Sequence, residues 1–119
     1  MRRVGIEKIN IYSPTLFLDQ RKLAIARDKD PDKVLKDFLI ENRSLNPPWE
    51  DTVTMGANAS FPLFDTDTAI DKKDIGFLVV GTEGSVDFGK PISTNIHGAL
   101  GLESDVRNYE TKHACYSGV

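Results

Sequence analysis

The chain is predicted to fold as α/β, and three observations carry the prediction. Short runs rich in Val and Ile, ended by turn residues, alternate with stretches of helical period. The continuous apolar run "GFLVVGT" (Gly76–Thr82) fits a strand covered on both faces, as in parallel sheets. A helix-period segment and a further strand-like stretch follow it, which is the order of a β–α–β unit.

Taken in order, "VGIEKINIY" (Val4–Tyr12) reads as a first strand stopped by Ser13-Pro14. Asp19 can cap a short helix, "QRKLAIARD", that sets Leu23, Ala24 and Ala26 among charges. In "KDPDKVLKDFLIENRS" the residues Val34, Leu35, Phe38 and Leu39 match helical spacing, and Asn46-Pro47-Pro48 breaks the chain. Asp51 caps the clearest helix. Its face of Val53, Gly56, Ala57, Ser60, Phe61 and Phe64 is small in the middle, as plain helix packing requires. Pro62 must end or kink it, because proline lacks the N–H owed to Asn58. After the Gly76–Thr82 strand, "STNIHGALG" reads as a helix with Ile96, Ala99 and Leu100 on one side and Gly101 as its stop. "DVRNYETKHA" is assigned as a strand, with Val106, Tyr109 and Ala114 inward, chiefly because it follows this unit.

Composition narrows the function. A chain of 119 residues with 39% apolar and 28% charged residues is at most one ordinary globular domain. A net charge of −3 argues against nucleic acid as a partner. No apolar run approaches the ~20 residues that span a bilayer, so no membrane partner is expected. A single cysteine excludes an internal disulfide framework and is simplest to place in a reducing cytoplasm.

That cysteine, Cys115 in "ETKHACYSGV", is the first candidate functional residue. With a strand ending near Ala114 and a helix starting after it, the thiol lies at a helix N-terminus. There unpaired N–H groups favour the reactive thiolate, which suits acyl transfer from a thioester. A free cysteine is equally a small buried apolar residue. Glu83, in "GTEGSVD" between Gly81 and Gly84, is the second. It stands at the carboxyl end of the apolar strand, where open α/β sheets gather functional groups, and could take or give a proton. The alternative for it is an ordinary loop glutamate. His97 and His113 have no partner spacing for a metal site, and no metal is expected.

Together "VGIEKINIY", "EDTVTMGANA", "FLVVGTEGSVD", "STNIHGALGL" and "ETKHACYSG" resemble, in order and spacing, the hydroxymethylglutaryl-CoA synthase family of the thiolase-like superfamily. The resemblance covers essentially the whole chain. Its most specific part is the glutamate of G-T-E paired with the cysteine of A-C-Y, 32 positions later. It implies a thiolase-like layered fold of which only part of the N-terminal half is present. Family members are several times longer and built of two similar halves. The chain is therefore expected to be a fragment ending just after the nucleophile, without the family's later histidine and inactive alone.

By the same resemblance, Cys115 accepts an acetyl group as a thioester. Glu83 is the general acid/base as the acetyl-enzyme adds to the ketone of an acetoacetyl thioester. "KDPDK" resembles a stretch that contacts the coenzyme A thioester, which points to Asp30, Pro31 and Lys33; a solvated charged loop is the other reading. No cofactor is implied, since the thioesters are substrates. "DFGK" in "SVDFGKPIST" resembles the branch acting on acyl carrier protein in polyketide β-branching. Acidic carrier helices would need a basic patch, for which Lys33, Lys36, Lys90 and Arg107 are the candidates; a solvated surface is the other reading of these scattered charges. The mevalonate-pathway enzyme using free CoA thioesters is the alternative. A homodimer is implied at full length. Two other classes stay open: an initiating ketoacyl synthase, against which the glutamate argues, and an inactive carrier-binding module.

Overall fold

The structure is a computed structural model that describes residues 4–65 and 70–112. The described residues form two compact units, one of residues 13–49 and one of residues 4–12 with those from Glu50 onward. Among them no helix is long and apolar enough to cross a membrane.

In the first unit, β1 (Leu16–Asp19) pairs antiparallel with β2 (Asn42–Leu45), Leu16 opposite Leu45 and Asp19 opposite Asn42. Neither strand is legible in the sequence. Each is four residues long, and all four β2 positions are exposed, so no burial alternation marks them. Between them run α1 (Gln20–Ala26) and α2 (Pro31–Phe38). Asp19 caps α1 as expected, its carboxylate accepting from the Lys22 amide at 3.0 Å. Asp30 caps α2, accepting from the Asp32 and Lys33 amides, and Pro31 starts the helix with φ already set. The helical spacing of Val34 and Leu35 holds, whereas Phe38 and Leu39 are exposed and Leu39 closes the helix at φ 53°.

The second unit contains α3 (Thr52–Ser60), a 3₁₀ turn over Phe61–Phe64, β3 (Phe77–Gly81), α4 (Ile92–Leu100) and β4 (Arg107–Thr111). Asp51 and Thr54 close a reciprocal capping box: the Asp51 carboxylate accepts from the Thr54 amide, and the Thr54 hydroxyl from the Asp51 amide, both at 2.8 Å. The Thr54 amide holds the Asp51 carboxyl below its usual range. Asp51→Ala is expected to destabilise by about 1 kcal/mol, read as a lower denaturation midpoint at unchanged m-value. Because the folded-state pKa is depressed, this contribution is present above the ordinary aspartate pKa of ~3.9 and fades as pH falls through the folded value.

At its far end α3 stops at Ser60 and tightens to 3₁₀ through Pro62, as the missing N–H demands. The small face of α3 is packing, as predicted. A Cβ on Gly56 would stand 2.5 Å from Ile96 Cδ1 of α4, so any larger residue there requires the Ile96 side chain to shift. Phe61, expected on this face, is instead exposed, because the 3₁₀ turn rotates it away.

Residues Val4–Tyr12 correct the first strand prediction: they form no strand. Val4 is 97% exposed and Ile11 84%. The period-2 composition is there, but no neighbouring strand among the described residues supplies a ladder. Polar side chains hold the segment instead. Lys8 Nζ donates to Pro62 O at 2.9 Å and Asn10 Nδ2 to Ala59 O at 2.7 Å, serving carbonyls that the end of α3 leaves open. Tyr12 Oη donates to Glu50, and that carboxylate raises the phenol pKa.

β3 and β4 pair in parallel, Phe77 opposite Arg107 through Gly81 opposite Thr111. Parallel pairing needs a crossover, and α4 supplies it. The strand predicted over "DVRNYETKHA" is thus present, though only Val106 and Tyr109 of its expected inward residues are described; Val106 is buried and Tyr109 exposed. The core is one layer of helix on one face of this ribbon: Ile92, Ile96, Leu100, Leu102 and Val106, with Leu78 and Val80 packed against it. Ile92, Ile96 and Leu100 fall at i, i+4 and i+8, so the inward stripe begins at Ile92 and excludes Ala99, which is exposed, contrary to expectation. Gly101 ends α4 at φ 62° as predicted, and Lys72 Nζ donates to Leu100 O at that end. Among the described residues the apolar run of β3 is covered on one face, whereas two were expected. Phe77 and Val79 point to the open side, where Phe77 stacks on Tyr109 with centroids 4.8 Å apart.

Candidate active site at the carboxyl edge of β3 and β4

Parallel register decides what leaves the sheet where. Gly81 and Thr111 are the last paired residues, and the Thr82 amide extends the ladder by donating to Thr111 O at 3.0 Å. Glu83 is the next residue. It is exposed, in a turn braced by the Gly84 amide donating to Thr82 Oγ1 at 3.1 Å. The strand-end position predicted for Glu83 is therefore present. β4 reaches the same edge at Thr111, followed by Lys112. Cys115 and His113 lie outside the described residues.

Beyond Glu83 the chain turns on itself. Ser85 Oγ donates to Asp87 O, and the Gly89 amide to Asp87 Oδ1 at 2.7 Å. Asp87–Pro91 forms one wall of a cavity of about 200 Å³ whose other wall is Glu110 and Lys112. Sequence reasoning missed these two. Lys112 Nζ lies 2.7 Å from Glu110 Oε1, and this partner holds the Glu110 carboxyl below the usual carboxylate range; the Ile92 amide, donating to Oε2, adds to the effect. His97 is structural in its surroundings: Nε2 donates to Leu102 O at 3.1 Å, and Nδ1 accepts from Asn108 Nδ2 at 2.8 Å. Among the described residues no group of three or more His, Cys, Asp or Glu side chains could hold a metal ion.

In the other unit, Asp30, Pro31 and Lys33 form the start of α2. A separate cavity of about 310 Å³ in this unit is lined by Arg27, Lys29 and Arg43 together with Leu23 and Val34; Asp30, Pro31 and Lys33 are not part of its lining. Gln20, 5% exposed, also lines it, and its Oε1 has no hydrogen-bond partner among the described residues. Three cations around an apolar floor fit an anionic head on a less polar arm. The sequence could not reveal this convergence, because Arg43 arrives on β2. The basic candidates Lys33 and Lys36 belong to this unit, and Lys90 and Arg107 to the other.

All 119 residues match the family described as hydroxymethylglutaryl-coenzyme A synthase N terminal. The "polyketide biosynthesis 3-hydroxy-3-methylglutaryl-ACP synthase PksG" of Bacillus subtilis (strain 168) is 39% identical over 118 residues, 99% of this chain and 28% of that protein. Among solved structures, "MvaS in complex with 3-hydroxy-3-methylglutaryl coenzyme A" superposes with TM-score 0.85 at 39% identity, over 99% of this chain and 28% of that one. The "curacin biosynthetic pathway HMG synthase in complex with acetyl donor-ACP" superposes with TM-score 0.82 at 36% identity, over 96% and 28%. The chain thus spans about 28% of the length of these relatives. Its strands and helices are those of the thiolase-like fold of HMG synthases. This chain belongs to the hydroxymethylglutaryl-coenzyme A synthase family, matching its N-terminal part over every residue.

Proposed function

We propose that these residues are the N-terminal part of a longer condensing enzyme that makes a 3-hydroxy-3-methylglutaryl-type thioester. The Cys115 thiolate attacks an acetyl thioester, forms acetyl-cysteine and expels the donor thiol. Glu83 moves the proton as the acetyl carbon becomes enolate-like and adds to the ketone of an acetoacetyl thioester. The product keeps one thioester and one free carboxylate, so water must cleave the bond to Cys115. The reading rests on the parallel register of β3 and β4, since the Glu83 turn and the end of β4 share one edge of the sheet. The cavity of Arg27, Lys29 and Arg43 suits the phosphate of a pantetheine arm, and Asp30, Pro31 and Lys33, at the start of α2, are proposed as further substrate contacts. A reducing cytoplasm keeps the thiol free, and the family resemblance supports a homodimer. The test is intact mass of the full-length protein after incubation with an acetyl thioester. A gain of one acetyl group on Cys115 supports the enzyme; no adduct on folded protein leaves a carrier-binding module.

The donor is proposed to be acyl carrier protein, on the strength of "DFGK" and of the carrier-linked relatives. Contacts to the carrier surface act beyond the shared chemistry, and each ~1.4 kcal/mol realised in the transition state is tenfold in kcat/KM. In competition at equal concentration, acetyl-carrier protein is expected to outcompete acetyl-CoA. Equal or better use of acetyl-CoA and acetoacetyl-CoA would leave the mevalonate enzyme in its place, a reading favoured by the likeness to MvaS in complex with 3-hydroxy-3-methylglutaryl coenzyme A.

A further inference from the structure

We infer that Glu110 is a positioning residue for the nucleophile, its carboxylate clamping the end of β4, four residues ahead of Cys115, to the start of α4. The inference rests on the reading of Cys115 as acetyl acceptor.

Glu110 stands opposite Val80 on the helix-covered side of the ribbon, and its side chain is 10% exposed. A carboxylate in such a place is costly unless both oxygens are served. Here they are. Oε2 accepts from the Ile92 amide at the first residue of α4, and Oε1 meets the Lys112 ammonium at 2.7 Å. The helix needs this, because its N-cap is Pro91, which has no side-chain acceptor. A serine or aspartate at that position would cap α4 locally. A carboxylate sent across from β4 does something a local cap cannot. It ties the helix, the strand end and Lys112 together where the chain continues to Cys115. The same pair walls the cavity against Asp87–Pro91, so the clamp lies at the edge from which the Glu83 turn also leaves.

The test uses the full-length enzyme and single-turnover acetylation of Cys115, followed by intact mass at saturating acetyl thioester. Displacing a reacting group by ~1 Å costs on the order of 10²-fold. Glu110→Ala is expected to slow acetylation by that order at saturation, while the acetyl thioester concentration that half-saturates the single-turnover rate, read from a titration, stays unchanged. Glu110→Gln keeps an acceptor for Ile92 and should recover part of the rate, and Lys112→Met should match Glu110→Gln. Circular dichroism gives the folded fraction of each variant. Acetylation of Glu110→Ala at the parental rate, or a loss no larger than its unfolded fraction, overturns the inference. Should Glu110→Ala not fold, parental rates in both Glu110→Gln and Lys112→Met overturn it. A parental enzyme that never acetylates defeats the assignment of Cys115 itself, a separate result.

Discussion

Cys115→Ser in the full-length enzyme is expected to fold and to lose acetyl transfer by on the order of 10³-fold or more, about 4 kcal/mol of barrier. The side chains are nearly isosteric, so packing changes little. The chemistry changes greatly. A thiolate is accessible near neutral pH, and a sulfur-for-sulfur exchange with the donor is close to balanced. A serine hydroxyl is far less acidic and stays protonated where a thiol would ionise. The measurement is intact mass with acetyl thioester, alongside product formation. Product at the parental rate from Cys115→Ser would move the nucleophile elsewhere.

Glu83→Gln is expected to separate the two halves of the reaction. Glutamine keeps the length and hydrogen-bonding reach of the side chain but cannot exchange a proton. Acetylation of Cys115 should persist while carbon–carbon bond formation falls by ~10²–10⁴-fold, the usual contribution of general acid–base catalysis. The signature is an acetyl adduct that accumulates and is not consumed when acetoacetyl thioester is added. Normal condensation by this variant would return Glu83 to the ordinary loop glutamates.

Several features of this site are legible in the sequence because they are local. Asp19 and Asp51 announce helix starts by residue type and spacing. Gly81, Thr82 and Glu83 follow an apolar run long enough to be a strand, so the strand-end position of Glu83 needs no tertiary information. What escapes is relational. Glu110 looks like a surface charge until α4 is seen to start at a proline and to lack a cap. Arg43 joins Arg27 and Lys29 only through a four-residue antiparallel pairing with no apolar alternation. Ala99 fails as an inward residue because the stripe is set by Ile92, one residue before the predicted helix start. Val4–Tyr12 has strand composition, yet composition cannot provide the neighbouring ladder a strand requires.

The one-sided cover of the β3–β4 ribbon bears on how the protein is made. Its buried side is assembled largely from one contiguous stretch, Phe77 to Thr111, in which α4 forms the crossover. Such short closures cost little chain entropy and form fast. The unit can therefore gather on the ribosome while later residues are still being synthesised. Its other side then stays wet, with Phe77, Val79 and Tyr109 turned to solvent. During that interval the nascent chain carries an adhesive apolar surface, the kind of transient exposure that recruits chaperones or seeds aggregation. Translation pace downstream of Thr111 thereby becomes a determinant of yield, independent of how stable the finished protein is.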